Sequence, residues 1–378
     1  MPLKNLPSVK DIEDLKGKRV LIRASLNVPI EGGRVVNSFR IKRALPTINF
    51  LRKAGAKVII IAHIGRDPMD SLEPVFHELK KSIDVKWCPE TTGPVTELAV
   101  SELKEGEVLM LENVRSDKRE KDNVSAFASE LATFADIYVN DAFAASHRAH
   151  SSLVGIPEHL PSYFGFNFIH EYEELSTAIH PESPSLFILG GAKFETKLPL
   201  VDEYASKYTH VFIGGAHAND FFKTKGYEIG ESLVSNADLE ESGILSHYNL
   251  LLPVDVVVKN AEGKRVTSPD KVTAEENILD AGPETVEFLR EFIEKAATIL
   301  WNGPLGDYEH GFSEATEELA KLVAKAKGKS IVGGGDTVAS IEGLGLEEQF
   351  GFISTAGGAM LDFLEHGTLP AIDAVLNN

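Results

Sequence analysis

A histidine–arginine–histidine pattern stands out in residues 140–152, which read "NDAFAASHRAHSS". Its residues His147, Arg148 and His150 could bind a metal, handle a proton or hold an anion. A metal site would place a further carboxylate or histidine at helical spacing, as in H-E-x-x-H, and none follows that spacing here. Arg148 would also repel a cation. Anion binding is therefore the favoured interpretation, and the alternative for His150 is a buried histidine that serves only the loop.

Arginine follows each of four predicted strands in the first half of the chain. The segments after these strands read "RASLNVP", "AHIGRD", "ENVRS" and "NDAFAASHRAH", and they deliver Arg23, Arg66, Arg115 and Arg148. Arg40 opens the first predicted helix, and His63 stands at the second strand end. Any one arginine could be a structural ion pair, but ligands of open parallel sheets bind at the carboxyl ends of the strands. Because guanidinium groups suit carboxylate and phosphate oxygens, the first half is predicted to hold a small, highly charged anion.

In the second half of the chain, glycine follows the predicted strands at the ends where arginine stands in the first half. Five predicted strands lead into "GGAKFETK", "GGAHAND", "NGPLGDYE", "GGGDTVAS" and "STAGGAML". Glycine lets backbone N–H groups approach a ligand, and a helix that starts there favours anions, so these ends predict a nucleotide with its phosphates at helix N-termini. The "GKS" of residues 328–330 is not a P-loop, because Val323 replaces the first glycine and a strand follows. No dinucleotide fingerprint follows a strand.

These ends belong to a regular alternation of predicted strands and helices. Apolar runs recur at residues 19–23, 57–62, 107–111, 136–140, 185–189, 210–213, 250–254, 298–301, 330–332 and 352–353. Between them lie segments with apolar residues three or four apart, as in residues 283–297. This alternation predicts an α/β fold with parallel sheets covered by helices on both faces. A length of 378 residues favours two domains, and Pro181 and Pro184 suggest a boundary near residues 160–185.

Composition excludes several classes of protein. A net charge of −19 argues against nucleic acid as a partner, since phosphate backbones need a basic surface. No apolar run approaches the ~20 residues of a membrane helix, and the N-terminal segment lacks a signal-peptide core. The single cysteine, Cys88, suits a reducing compartment. We therefore expect a cytoplasmic protein that binds small molecules.

The order of the longer motifs carries a specific resemblance. The segments "NDAFAASHRAHSS", "GGAKFETK", "LPVD", "WNGPLGDYE", "GGGDT" and "STAGGA" occur in the order found in phosphoglycerate kinases, so nearly the whole chain resembles the short bacterial form of that family. The resemblance implies a monomer of two Rossmann-like lobes joined by a hinge. Residues 1–165 would be the 3-phosphoglycerate lobe, with residues 360–378 packing back on it, and residues 166–359 would be the nucleotide lobe. The implied reaction is reversible phosphoryl transfer between 1,3-bisphosphoglycerate and MgADP, which gives 3-phosphoglycerate and MgATP.

The resemblance also implies roles for individual residues. The residues expected to bind 3-phosphoglycerate are Ser25, Asn27, Arg40, His63, Arg66, Arg115 and Arg148. The residues expected to bind the nucleotide are Gly214 and Gly215 near the adenine, Glu309 at the ribose, Lys197 and Asn302 at the phosphates, and Gly334, Gly335, Asp336 and Thr337 in the phosphate loop. Asp336 would hold Mg²⁺. Arg40, Lys193, Gly335 and Gly357 would form the catalytic set, with Arg40 and Lys193 stabilising the transferring phosphoryl group.

The implied chemistry suits these residue types. The acceptor is a carboxylate that is already ionised at neutral pH, so the reaction needs no general base. It needs positioning and neutralisation of crowded negative charge, and hinge closure would expel water. The chain departs from the family pattern at Ser25, Asp67, Ser116 and Ala356, which stand where aspartate, proline, phenylalanine and glycine are usual. Ser25 predicts weaker or altered substrate binding, Asp67 adds a negative charge near the anion site, and the methyl group of Ala356 could crowd the moving phosphate. Ser25 and Ala356 support the alternative, a catalytically weakened relative that binds a nucleotide or metabolite.

Overall fold

A computed structural model of the chain describes residues 4–192, 197–235, 239 and 243–378. The chain divides into two units, of which the first comprises Met1–Glu173 with Thr368–Asn378 and the second comprises Glu174–Gly367. From the sequence, the division lay between residues 165 and 166 and the C-terminal tail began at residue 360. In the structure, the division falls inside the helix Phe166–Ile179.

The first unit is built on a six-stranded parallel sheet. In order across the sheet, the strands are β5 (Lys86–Cys88), β6 (Val108–Leu111), β4 (Lys57–Ile61), β1 (Arg19–Ala24), β7 (Ile137–Asp141) and β8 (Ser162–Phe164). A separate hairpin pairs β2 (Ile30–Glu31) with β3 (Arg34–Val35). The helices are α1 (Phe39–Lys53), α2 (Glu73–Leu79), α3 (Pro94–Ser101), α4 (Ser125–Ala132), the start of α5 (Phe166–Ile179) and α12 (Pro370–Leu376).

Alternate residues of the central strands enter two different cores. Val20 and Ile22 of β1 pack in the core that also holds apolar side chains of α1 and α2. Leu21, between them, packs in the core that holds side chains of α3 and α4. Because successive side chains of a strand point to opposite faces, a strand covered by helices on both sides must be apolar throughout. This explains the uninterrupted apolar runs and confirms the predicted layers.

The second unit repeats this plan and adds a small antiparallel sheet. Its parallel sheet has the order β11 (Leu250–Leu251), β10 (His210–Ile213), β9 (Ser185–Leu189), β15 (Thr298–Asn302), β16 (Lys329–Gly333) and β17 (Phe352–Ile353). Its helices are the end of α5, α6 (Leu198–Lys207), α7 (His217–Thr224), α8 (Pro283–Lys295), α9 (Glu314–Val323), α10 (Gly335–Gly343) and α11 (Gly358–His366). The antiparallel sheet has the order β13 (Gly263–Thr267), β12 (Val256–Asn260) and β14 (Asn277–Ala281).

The structure confirms the predicted α/β class and corrects it in detail. The sequence did not predict the short edge strands β5 and β8 or the antiparallel sheet β13–β12–β14. Short edge strands carry too few residues for a periodic signal, and the antiparallel strands mix apolar and charged residues without a clear period. Among the described residues, every helix is too short or too polar to cross a bilayer.

Candidate active site

Arg23, at the end of β1, is the most deeply buried member of the arginine set. Its side chain is inaccessible to solvent, and its guanidinium donates to Ser152 Oγ at 2.9 Å, to the Ala24 carbonyl at 2.9 Å and to His63 Nδ1 at 2.8 Å. Burial lowers the pKa of Arg23, and the negative charge of Glu120 opposes this change. Because arginine can only donate, His63 Nδ1 must accept, so a neutral His63 ring carries its proton on Nε2.

Glu120 is linked to Arg23 through the Ser152 hydroxyl, which accepts from Arg23 and donates to Glu120. The Glu120 carboxylate is fully buried and accepts from the Ser152 N–H at 2.8 Å and the Ser152 Oγ at 2.6 Å. Burial raises the pKa of Glu120, whereas Arg23 acts to lower it. Ser152 lies in a π-helical turn, Ser151–Gly155, which follows the histidine-rich loop. Glu120 was not predicted from the sequence, because the surrounding "SDKREKDN" has the composition of a solvated surface.

Arg115 is buried, and only part of its guanidinium group is hydrogen-bonded to the described residues. Its Nη1 donates to the Gly65 carbonyl at 3.0 Å, but its Nε and Nη2 are buried and have no hydrogen-bond partner among the described residues. Burial and, to a smaller extent, the charges of Arg148 and Arg23 lower the pKa of Arg115 to about 10. An unpaired buried donor is costly, and an anion placed between such groups would satisfy them.

Two asparagines tie the loops of this site together. Asn27 accepts from Arg40 Nη1 at its carbonyl, at 2.9 Å, and from the Gly65 N–H at its side-chain oxygen, at 3.0 Å. Asn113 accepts from the Arg115 N–H at 3.0 Å and donates to the Ile64 carbonyl at 3.2 Å. These bonds join the segments that follow β1, β4 and β6 to the first turn of α1. Burial lowers the pKa of Arg40, and Glu171 opposes this.

The remaining predicted residues of this unit lie further out. Arg66 and Arg148 are exposed, and Arg148 Nε donates to His147 Nε2 at 3.2 Å. Ser25 is buried, with 6% of its surface exposed. The structure therefore brings Arg23, His63 and Arg115 into one arginine cluster, with Arg40 and Arg148 close enough to shift pKa values in it.

Two histidines of this region, His63 and His150, are held neutral. The pKa of His63 lies well below its usual value, first because the ring is buried and then because of nearby arginines: Arg23, Arg115, Arg148 and Arg40. Burial also lowers the pKa of His150 to about 4, and its Nδ1 lies 3.8 Å from Glu120 Oε1. Within the described part of the chain, no three His, Cys, Asp or Glu side chains cluster to hold a metal. An anion site agrees with this electrostatic field.

The second unit contains a cavity of about 300 Å³ between the glycine-bearing loops and the antiparallel sheet. We name it the glycine-lined cavity. Of the residues predicted to bind the nucleotide, Gly215, Glu309 and Asp336 line it. The wall that β14 contributes, including Asp280, was not predicted, because that strand has no clear signal in the sequence.

Glycines at this site serve two different purposes. A side chain at Gly303 would place its Cβ 2.2 Å from the Gly190 carbonyl oxygen, so these two glycines allow two loops to pack together. Gly334 and Gly357 adopt positive φ angles of 103° and 56° and precede α10 and α11. A Cβ at Gly335 or Gly357 would meet no atom within 4 Å. The helix starts are therefore open toward a ligand, as phosphate binding requires.

Polar side chains lie beside these helix starts. Asn302, at the end of β15, donates to Met360 Sδ at 3.7 Å, and its Nδ2 would lie 3.7 Å from a Cβ at Gly334. Thr337 Oγ1 is buried and has no partner in the described ranges. Burial lowers the pKa of Lys197, and Asp362 and Glu365 oppose this.

A Cβ at Gly214 would lie 2.8 Å from Leu305 Cδ2, so this glycine lies against a side chain of the cavity wall. Lys193, predicted to be catalytic, falls outside the described residues.

Asp336 is the residue of this cavity best suited to a cation. It is half-buried, and burial raises its pKa, with the negative charge of Glu309 raising it further. Two carboxylates that share one cavity destabilise each other's ionised forms, and a hard divalent cation would remove that cost. The donor set therefore fits Mg²⁺ bound by carboxylate and phosphate oxygens.

Asp280 is held between two backbone N–H groups. Its Oδ1 accepts from the Ala281 N–H at 2.9 Å and its Oδ2 from the Ala315 N–H at 3.2 Å. Burial nevertheless raises its pKa to about 7, and Glu314 raises it while Lys264 lowers it. The carboxyl of Asp280 therefore changes charge close to neutral pH.

An Asp280→Asn variant should remove one component of the pH dependence of stability. The folded state holds the Asp280 proton up to about pH 7, whereas an unfolded aspartate loses it near pH 4. The folded state thus binds more protons in this window, so the free energy of unfolding falls as pH rises through it, by up to about 4 kcal/mol. Urea unfolding at pH 5 and pH 8 should show a smaller fall in the free energy of unfolding for the variant than for the parent. The variant should also be less stable than the parent at both pH values, because asparagine has one hydrogen-bond acceptor fewer than aspartate. An Asp270→Asn control, at an exposed position, should keep the parental fall, and an equal fall in Asp280→Asn would contradict the assignment.

Comparisons with known proteins agree with this geometry. The family model described as phosphoglycerate kinase matches residues 9–367. The phosphoglycerate kinase of Dictyoglomus turgidum is 42% identical, with 100% of each chain covered, and that of Rubrobacter xylanophilus is 43% identical, with 97% of each covered. The solved phosphoglycerate kinase of Coxiella burnetii superimposes with a TM-score of 0.85 at 37% identity, covering 99% of both chains. That of Pyrococcus horikoshii gives a TM-score of 0.85 at 31% identity, covering 98% of both.

A family match over nearly the full length, together with relatives of 40% identity or more, settles the family. The arginine cluster of the first unit and the glycine-lined cavity of the second are consistent with it. The chain belongs to the phosphoglycerate kinase family.

Proposed function

We propose that the arginine cluster binds 3-phosphoglycerate or 1,3-bisphosphoglycerate and that the glycine-lined cavity binds ADP or ATP. The single observation that carries the first assignment is Arg115, whose buried Nε and Nη2 have no partner among the described residues. A phosphate or carboxylate would accept from both, in the paired geometry that guanidinium favours. The cavity assignment is supported by its open helix starts and its two carboxylates, Glu309 and Asp336.

The chain is a phosphotransferase with a carboxyl group as acceptor, and it transfers a phosphoryl group reversibly between 1,3-bisphosphoglycerate and ADP. Neither the family match nor the relatives support the alternative of a catalytically weakened binding protein. The hinge, the monomeric state and the cytoplasmic location stay predictions.

The residues of the first unit act by binding the anionic substrate and neutralising its negative charge. The acceptor carboxylate needs no base, and this agrees with the low pKa of His63, which cannot hold a second proton at neutral pH. His63 instead offers Nε2–H as a neutral donor, while Arg23 fixes its ring through Nδ1. We assign Asn27, Arg40, Arg66, Arg115 and Arg148 to substrate binding, with Arg40 also stabilising the transferring group. Lys193, Gly335 and Gly357 are proposed for the same catalytic set.

For the nucleotide, we assign Gly214 and Gly215 to the adenine, Glu309 to the ribose, and Lys197, Asn302, Gly334, Gly335 and Thr337 to the phosphates. Asp336 would hold the Mg²⁺ that accompanies them. When bound, this ion supplies positive charge to the crowded phosphate oxygens. The buried, unpartnered Thr337 Oγ1 is available as a further donor to a phosphate oxygen.

A coupled assay of ATP-dependent phosphorylation of 3-phosphoglycerate tests the proposal. We expect turnover that requires both substrates and Mg²⁺, and saturation by each substrate. A protein that binds ADP but turns over no 3-phosphoglycerate would contradict it.

The serine at position 25 should limit the affinity for 3-phosphoglycerate. Ser25 is buried, and it stands where the resemblance places an aspartate. A Ser25→Asp variant is expected to lower the KM for 3-phosphoglycerate about threefold to tenfold, because a hydrogen bond to a charged group is worth roughly twice a neutral one. The coupled assay measures the change, and Ser25→Ala serves as the control that loses the hydroxyl. A KM in Ser25→Asp equal to that of the parent would refute the role.

A further inference from the structure

The antiparallel sheet of the second unit is covered differently on its two faces. Val256 and Val258 of β12 pack in a core with Ala218 and Phe222 of α7. The intervening Val257 points to the opposite face, where its cross-strand partner is Val266 of β13. Val266 is 52% exposed, whereas Val257 is buried. Val257 and Val266 therefore form an apolar patch on this face, and the patch is open to solvent at Val266.

Two helices turn this open face into a second cavity, with a volume of about 550 Å³. Val257 and Val266 form part of its floor, Val286 of α8 lines one wall, and Ala315 and Leu322 of α9 line the other. A volume of this size suits a small organic ligand.

The charges around this cavity do not cancel. Its cations are Lys264, Arg265, Arg290, Lys321 and Lys325, and its carboxylates are Glu287, Glu314 and Glu318. Each carboxylate already pairs with a cation of the cavity: Lys264 with Glu314 at 3.0 Å, Arg290 with Glu287 at 2.9 Å and Lys321 with Glu318 at 2.7 Å. Arg265 pairs with Glu276, outside the lining, and Lys325 has no ion pair within the described ranges. In a protein of net charge −19, this is a locally positive site.

We propose that this second cavity binds an apolar organic anion, whose hydrocarbon part covers Val257, Val266 and Leu322 and whose carboxylate faces Lys325. Apolar surface and unpaired positive charge are the two complementary features such a ligand needs. We name the site the apolar-anion cavity. A cationic or purely polar ligand would leave one of the two features unused.

The apolar-anion cavity is coupled to the glycine-lined cavity through Asp280. Ala281 lines both cavities, and Ala315 lines the apolar-anion cavity. The N–H groups of these two alanines hold the Asp280 carboxyl, which lines the glycine-lined cavity. A Cβ at Gly306 would lie 2.4 Å from Asp280 Oδ1, so this carboxyl lies against the backbone of Gly306, which also lines the glycine-lined cavity. This coupling, unlike the site itself, rests on the proposed nucleotide assignment.

Calorimetric titration of the full chain with decanoate, below its micelle-forming concentration, tests the site. We expect saturable binding at one site. Val266→Asp should weaken it about tenfold by placing a charge against the hydrocarbon part, and Lys325→Glu should weaken it about tenfold by repelling the carboxylate. Lys327→Glu makes the same charge reversal at an exposed residue outside the cavity and should leave the affinity unchanged. All three positions are exposed, so the variants should fold. Absence of saturable binding, or equal weakening in Lys327→Glu, would overturn the site.

Titration with ADP in the presence and absence of saturating decanoate tests the coupling. We expect the Kd of ADP to change by at least about threefold, and the Kd of decanoate to change by the same factor, because coupling between binding sites is reciprocal. An unchanged Kd would overturn the coupling. Complete mutual exclusion would overturn the separate site, because it would place decanoate in the glycine-lined cavity. If ADP itself failed to bind, the nucleotide assignment would fail, and the decanoate titration would still decide the site.

Discussion

An Arg115→Met variant is expected to lose about 10³-fold in kcat/KM for 3-phosphoglycerate, roughly 4 kcal/mol, while it keeps the stability of the parent. Activity falls because the anion loses the two guanidinium nitrogens that have no partner in the part of the chain that the structure describes. Stability is kept because the same change removes a buried charge with unpaired donors, which offsets the lost hydrogen bond to the Gly65 carbonyl. The coupled assay and urea unfolding measure the two quantities.

Two further variants separate the role of Arg115 from a general effect of charge. Arg115→Lys retains the positive charge but lacks the paired guanidinium nitrogens, so its kcat/KM for 3-phosphoglycerate should fall about 10-fold to 10²-fold. Arg34→Met removes an exposed arginine from the β2–β3 hairpin and should match the parent in the assay. If Arg115→Met kept its kcat/KM, or lost stability in proportion to its activity, the substrate role would be wrong.

Asp336→Asn is expected to lower kcat/KM for MgADP about 10²-fold and to raise the Mg²⁺ concentration for half-maximal activity about tenfold. The amide keeps the shape of the carboxyl but supplies no negative charge to a metal. The same variant should unfold at a higher temperature. Burial and Glu309 both raise the pKa of Asp336, so its ionised form is disfavoured in the folded protein at neutral pH. Function at this position is maintained at a cost in stability.

Mg²⁺ titrations of activity and a thermal unfolding scan without nucleotide measure these effects. Asp270→Asn, at an exposed turn of the same unit, is the matched control and should change neither. A variant that kept the parental Mg²⁺ dependence would exclude Asp336 as the metal ligand. A lowered unfolding temperature would show instead that the carboxylate stabilises the fold.

The amino-acid sequence by itself determined the alternation of strands and helices and the residue types at each strand end. These follow from local rules. A strand buried on both faces must be apolar throughout, and a helix start that binds phosphate must leave its backbone N–H groups accessible. All six strands of the second parallel sheet were predicted as apolar runs, although the run at residues 250–254 gives only the short strand Leu250–Leu251. The order of the longer motifs then indicated the family, and the comparisons confirmed it.

Only the tertiary structure decided which of these side chains act together. Arg23 meets Ser152 across 129 positions of sequence, and Glu120 meets Ser152 across 32, so no local pattern could pair them. The antiparallel sheet supplies Asp280 to one cavity and Val257 to another, and its strands gave no clear signal because only one face is fully covered. The neutral state of His63 and the raised pKa of Asp280 arise from burial and from neighbouring charges. Both depend on distances in space, which the linear order of residues does not contain.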